Sequence, residues 1–160
     1  MKKKISLLLI MIALLSNISP AQTPSAGAQA SAEKVAALLD KSGYSFRKAS
    51  NNVWVVSFTG KQITDVQVII TTVPDLLLAS VIVAKKRQMR PTAEFFYKLL
   101  KLAHTYDLIK VGLDTDDDLF VRVEVKLRTM DVDEFKAYVK QTAAAADEIY
   151  GEVRTLLSAQ

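Results

Sequence analysis

Apolar and polar residues change their spacing several times along this chain, and each change marks an element. In residues 32–42, Val35, Leu38 and Leu39 fall at i, i+3 and i+4, the stripe of a short helix with one narrow buried face. Ser31 can cap it, Glu33 suits its first turn, and Gly43 suits its end because glycine accepts a positive φ. The period then drops to two. Residues 44–48, 53–59, 65–73 and 77–84 read as strands, separated by turn residues at Ser50-Asn51-Asn52, Gly60-Lys61 and Pro74-Asp75. Such short connections predict antiparallel neighbours. Pro91 and Thr92 open a second helix over 93–105, with Phe95, Phe96, Leu99, Leu100 and Ala103 as its stripe. Residues 108–114 and 119–127 form a hairpin. In its second strand Leu119, Val121, Val123 and Val125 alternate with Phe120, Arg122, Glu124 and Lys126, which predicts one wet face. Asp131 and Glu134 have capping-box spacing and start a last helix that runs to about residue 157. The order helix, four strands, helix, two strands, helix predicts an α+β fold: an antiparallel sheet with helices packed on it.

The middle strands carry more apolar residues than one buried face requires. Trp54, Val56 and Phe58 share one side of the second strand, and Val53 and Val55 the other. In the fourth strand Leu77, Ala79, Val81 and Val83 oppose Leu76, Leu78, Ile82 and Ala84. A solvated sheet face should be polar, so these strands are expected to be covered on both sides. The first and third helices could supply the cover within one chain. A dimer interface or a hydrophobic partner groove could supply it instead. The candidate partner-binding residues are Trp54, Phe58, Leu78 and Ile82, with the two aromatics as the expected anchors.

Lys2, Lys3 and Lys4 precede an unbroken apolar run over residues 5–15, and Ser19-Pro20-Ala21 places small residues at −3 and −1 of a cleavage site. That is the layout of a secretory signal peptide, and the run is too short to span a bilayer. The expected organisation is a signal at 1–21, a flexible linker of small polar residues at 22–30, and one α+β domain at 31–160. The expected location is periplasmic or secreted, with no membrane span after cleavage. The whole chain has 21 basic and 17 acidic residues. Removing the signal takes three lysines and leaves a net charge near +1, so no global field for nucleic acid remains.

With no Cys and one His, a thiol nucleophile, a disulfide framework and the usual zinc ligand sets are excluded. Asp114, Asp116 and Asp118 repeat like the start of a calcium loop. Leu119 and Val125 stand where such a loop needs Gly and a bidentate Glu, so a solvated hairpin tip is expected. His104 lies near a helix end and has no nucleophile signature beside it. Lys85, Lys86, Arg87 and Arg90 form the densest basic cluster. Without interleaved aromatics they read as a solvated loop, the competing reading being a site for acidic partners or lipid headgroups. Gly60-Lys61 lacks the rest of a phosphate-binding loop. No catalytic, cofactor-binding or metal residue is assigned.

Residues 96–131, FYKLLKLAHTYDLIKVGLDTDDDLFVRVEVKLRTMD, together with the order of elements from about 31 to 157, resemble the YbjN-like family, whose fold is related to the type III secretion chaperones. Leu99-Leu100 match the family's helix, while the neighbourhood of His104 departs from its usual Asn. The resemblance implies a compact sheet with helices on it, often a homodimer, and a non-enzymatic binding or chaperone-like role. It carries over no catalytic residue. The expectation is therefore an exported, non-enzymatic module holding a peptide or protein partner, as a homodimer and without cofactor. The alternative is a carrier of a small apolar ligand in a pocket between sheet and helices.

Overall fold

The computed structural model describes residues 26–157; the signal peptide expected at 1–21 lies outside the described residues. The elements are α1 (Ala26–Ser42), β1 (Phe46–Ser50), β2 (Val53–Phe58), β3 (Val66–Val73), β4 (Leu76–Ala84), α2 (Ala93–Thr105), β5 (Ile109–Leu113), β6 (Leu119–Lys126) and α3 (Val132–Val153), with short 3-10 turns at Lys86–Gln88 and Arg154–Leu156. Six antiparallel strands form one open sheet in the order β1-β2-β3-β4-β6-β5. The α+β class and the element order are those the hydrophobic pattern predicts.

Local chemistry accounts for most of the boundaries. Asp131 accepts from the N–H groups of Asp133 and Glu134 at 2.9 and 2.8 Å, and Glu134 reaches back to the Asp131 N–H, which completes the capping box of α3. The Thr92 hydroxyl accepts from Phe95 N–H at 3.2 Å and caps α2. Gly43 follows α1 with φ +74°, the left-handed conformation that ends a helix. At the start of α1 the structure departs from expectation. The helix begins at Ala26, so residues 26–30, expected as linker, are its first turns. Three of those five residues are alanine, the best helix former, so small side chains here favour helix rather than flexible coil.

The second departure is the sidedness of the sheet. Trp54, Val56, Val68, Ile70, Leu77, Ala79, Val81, Val121 and Val123 are all at most 3% exposed and lie on one face. Both α1 and α3 pack there: α3 against β3, β4 and β6, and α1 against β3 and α3. Phe135, Val139, Ala146 and Ile149 of α3 and Val35 and Leu39 of α1 complete this core. The helices therefore do not sandwich the sheet. Among the described residues, no helix lies over its other face, which carries Val55, Ile69, Leu76, Leu78 and Ile82. Meanwhile α2 packs mainly beside β5.

Candidate functional site

The four candidate partner-binding residues separate into two groups. Trp54 is 2% exposed, opposite Ile70 in the helix-covered face, and cannot reach a partner in the folded chain. Its position two residues from Val56 and four from Phe58 put it on the face that the helices happen to occupy. Phe58 lies on that same face near its end, half-buried, with its ring edge-on to Tyr44 at 5.4 Å between centroids. Leu78 and Ile82 point the other way, half-buried on the helix-free face. Of the two aromatics, Trp54 is a core residue and Phe58 lies half-buried at the core's edge, while the aliphatic pair lies on the helix-free face.

Across that free face, register pairs Val55 with Ile69, Thr71 with Leu78, and Val73 with Leu76. The result is an apolar strip over β2, β3 and β4, with Val73 42% exposed. Beyond it the strands β6 and β5 turn polar. Leu78 pairs with Glu124, Ser80 with Arg122, Leu76 with Lys126, and Lys110 with Arg122. The Phe120 ring lies against Gly112, where a Cβ would come within 3.2 Å of it. Arg122 stacks its guanidinium 4.6 Å from that ring's centroid and bonds Glu124 at 2.6 Å. Lys110 also bonds Glu124. The Lys110 hydrogen bond and both cations hold the Glu124 carboxyl below the usual carboxylate range, against the opposing effect of burial. On the opposite flank stands Arg47, paired with Val55. These rim residues were not singled out from sequence, although the polar alternation of residues 120–126 marks their face.

A second apolar surface lies at the other end of the sheet. Tyr97 and Leu100 of α2 are 66% and 72% exposed, and Phe96, Leu108 and Leu113 are exposed beside them. The stripe of α2 is wider than its seat: Phe95 and Leu99 are buried, Ala103 is half-buried, and Phe96 and Leu100 face out. β5, an edge strand, adjoins it.

A groove of about 760 Å³ runs along α3, between the end of α2 and the β2–β3 loop. Phe58, Leu102, Ala143 and Gly151 line it, together with Lys61, Lys140, Glu148, Glu152 and Arg154. It is open and charged, while the side chains between sheet and helices, Ile70, Leu77, Phe135 and Ile149 among them, are fully buried. An open charged groove of this kind differs from the enclosed apolar pocket expected of a carrier. At the groove's floor, the buried Asp147 carboxylate accepts the N–H groups of Lys61, Gln62 and Ile63 at 2.8, 2.8 and 2.7 Å. Burial would raise its pKa, but the three donors and the Lys61 charge outweigh it and hold the group below the usual range. Nearby, Tyr106 donates to Glu148 at 2.9 Å; burial first and this bond second push its pKa up to about 12.

The basic loop and the acidic hairpin tip, read separately along the chain, meet in space. Lys85 bonds Asp118 at 2.7 Å, Lys86 bonds Asp117 at 2.8 Å, and the Lys86 N–H donates to Asp118 at 2.8 Å. Asp114 accepts the N–H groups of Asp116 and Asp118, both at 2.9 Å, and so builds the turn. No group of three or more His, Cys, Asp or Glu side chains suited to a metal occurs among the described residues. His104 is exposed near the end of α2.

No family model matches the sequence, and none of the curated proteins does. Solved structures do match the fold. YbjN from E. coli, a candidate transcription regulator, aligns with a TM-score of 0.60 at 18% identity, over 81% of this chain and 96% of that one. A chain of the heterodimeric ExoU–SpcU complex from the type III secretion system of Pseudomonas aeruginosa aligns at 0.54 and 14%, over 76% and 95%. A chain of the ExsC–ExsE complex aligns at 0.55 and 13%, over 83% and 98%. This is the YbjN-like fold that residues 96–131 resemble, and it is a fold found in complexes between two different proteins. No helix among the described residues is long and apolar enough to cross a membrane.

Proposed function

We propose that this chain is a non-enzymatic, chaperone-like binding module that holds a segment of a protein partner on the helix-free face of its sheet. The observation that carries the reading is the apolar strip around Leu78 and Ile82. No helix of the described residues covers this strip, which leaves Leu78 and Ile82 only half-buried, and apolar patches of this kind usually mark contact sites. The solved relatives in fold include two heteromeric complexes, which supports a partner-holding role. The module is exported by residues 1–21 and works in the periplasm or outside the cell, as the charged start and apolar run of that segment suggest. Sequencing the N-terminus of exported material tests this, since an intact Met1 there contradicts it.

A second copy of the chain is the occupant we assign to the other apolar surface, where Tyr97 and Leu100 project from α2 beside the edge strand β5. Two surfaces of separate character allow dimerisation and partner binding at once.

The test of the docking role is a selection of peptides from a random display library against the full chain. Selected peptides should lose at least tenfold in affinity on Leu78→Glu or Ile82→Glu and be unchanged by Leu100→Lys. In hydrogen exchange they should protect β3 and β4. Peptides that protect α2 alone, or that bind both sheet variants as well as the parent, would overturn the assignment.

A further inference from the structure

Resting on that docking reading, we infer that the segment taken up by the open sheet face is an amphipathic helix whose apolar stripe is flanked by acidic residues. Dimensions select a helix. The apolar strip spans three strands, β2 to β4, and two inter-strand spacings come to about 10 Å, the diameter of a helix; a lone strand would cover only half of that width. Along β4 the strip runs from Leu76 to Ile82, on the order of 20 Å, the length of about 13 helical residues. The chain covers its opposite face in the same way, with α3 laid across β3, β4 and β6.

Charge selects the flanks. On one side of the strip stands Arg47, and on the other Arg122, Lys110 and Lys126, with Glu124 as the one acid between them. Glu124 is already held by both Lys110 and Arg122. Asp65 and Asp75 lie at the two ends of the strip, before β3 and in the β3–β4 turn, and not along its sides. A helix seated on the strip therefore presents both polar flanks to cations, and acidic residues there would be matched. The same arrangement disfavours the other occupants. A second copy related by a two-fold axis would bring these cations toward their own equivalents. The chain's own apolar run at 5–15 follows Lys2, Lys3 and Lys4 and would add to the excess.

The experiment uses three synthetic 16-residue helical peptides with an identical Leu/Ile stripe, flanked by Glu, by Lys or by Gln, titrated against the full chain at low and high salt. The Glu-flanked peptide should bind at least tenfold more tightly than the Lys-flanked one at low salt, and the gap should narrow at high salt. Lys126→Glu and Arg47→Glu, both exposed rim positions, should each shrink the gap, and the pair together should reverse it. Leu78→Glu should abolish binding of all three. Equal affinity for the three peptides, still lost in Leu78→Glu, would overturn the charge assignment and leave the docking face standing. Binding indifferent to Leu78→Glu would overturn both. A particle mass that halves on Leu78→Glu would give the face to a second copy and overturn the helix. Binding that appears only in a chain beginning at Gln22 would give it to residues 5–15, with the same consequence.

Discussion

At the scale of single residues, Asp147 does the most distant work. Its carboxylate gathers three successive N–H groups 84 to 86 positions earlier in the chain and so fixes the β2–β3 loop to α3. Hydrogen bonds to a charged group are worth roughly 1.5–3 kcal/mol each before losses, so Asp147→Ala should lower stability by about 3 kcal/mol in urea unfolding. The carboxyl titrates below its unfolded value, so its contribution is complete above about pH 4 and is lost as pH falls through the depressed folded value. In Asp147→Asn that part of the acid-side decline should disappear. Gly60 belongs to the same contact, because a Cβ there would stand 2.3 Å from the Asp147 carboxylate; Gly60→Ala should destabilise by about 2 kcal/mol, seen as a lower melting temperature. None of this was legible along the chain. Asp147 reads there as one of two acidic residues between the alanines and Ile149 of a helix, and nothing local tells it from a solvated position. Trp54 shows the converse: its strand and its side of that strand were readable, but which side the helices would take was not.

Among elements, legibility follows the range of the interaction that sets each boundary. The α3 capping box was visible because its three bonds span at most three residues, and Asp131→Ala should cost about 1 kcal/mol and fray the first turn, measurable by amide exchange. The strands were visible because a period of two survives wherever one face is buried. The early start of α1 was missed because glycine and small polar residues sit among its alanines. There, tertiary contacts give the support that composition alone does not: Ser31 accepts the Asp75 N–H at 3.2 Å, and Gly27 lies beside Pro74. The clasp of Lys85 and Lys86 on Asp118 and Asp117 was hidden for a related reason. Each charge run looked solvated alone, and only the register of β4 on β6 brings the ends of those strands together. The Lys86–Asp117 pair is exposed on both sides, so breaking it should change stability by less than about 1 kcal/mol, whereas Asp118 is buried and also holds the Lys86 N–H.

For the molecule as a whole, a six-stranded sheet with both of its packing helices on one side was half foreseeable. The excess of apolar residues in β2 to β4 announced two covered faces; the chain supplies one of them. Mass in solution is the property that belongs at this scale. If α2 and β5 meet a second copy, Leu100→Lys should convert a dimer to a monomer in light scattering while leaving the circular dichroism unchanged. One consequence concerns time. The helix that roofs the core, α3, is the last long element among the described residues, and its Phe135, Val139 and Ile149 are fully buried in the core. Until residues 132–153 have left the ribosome, α1 alone shelters β2 to β4, and only over β3 on one flank. A nascent product ending before Asp131 should therefore precipitate, whereas one that carries α3 folds, so emergence of α3 acts as the trigger for burial.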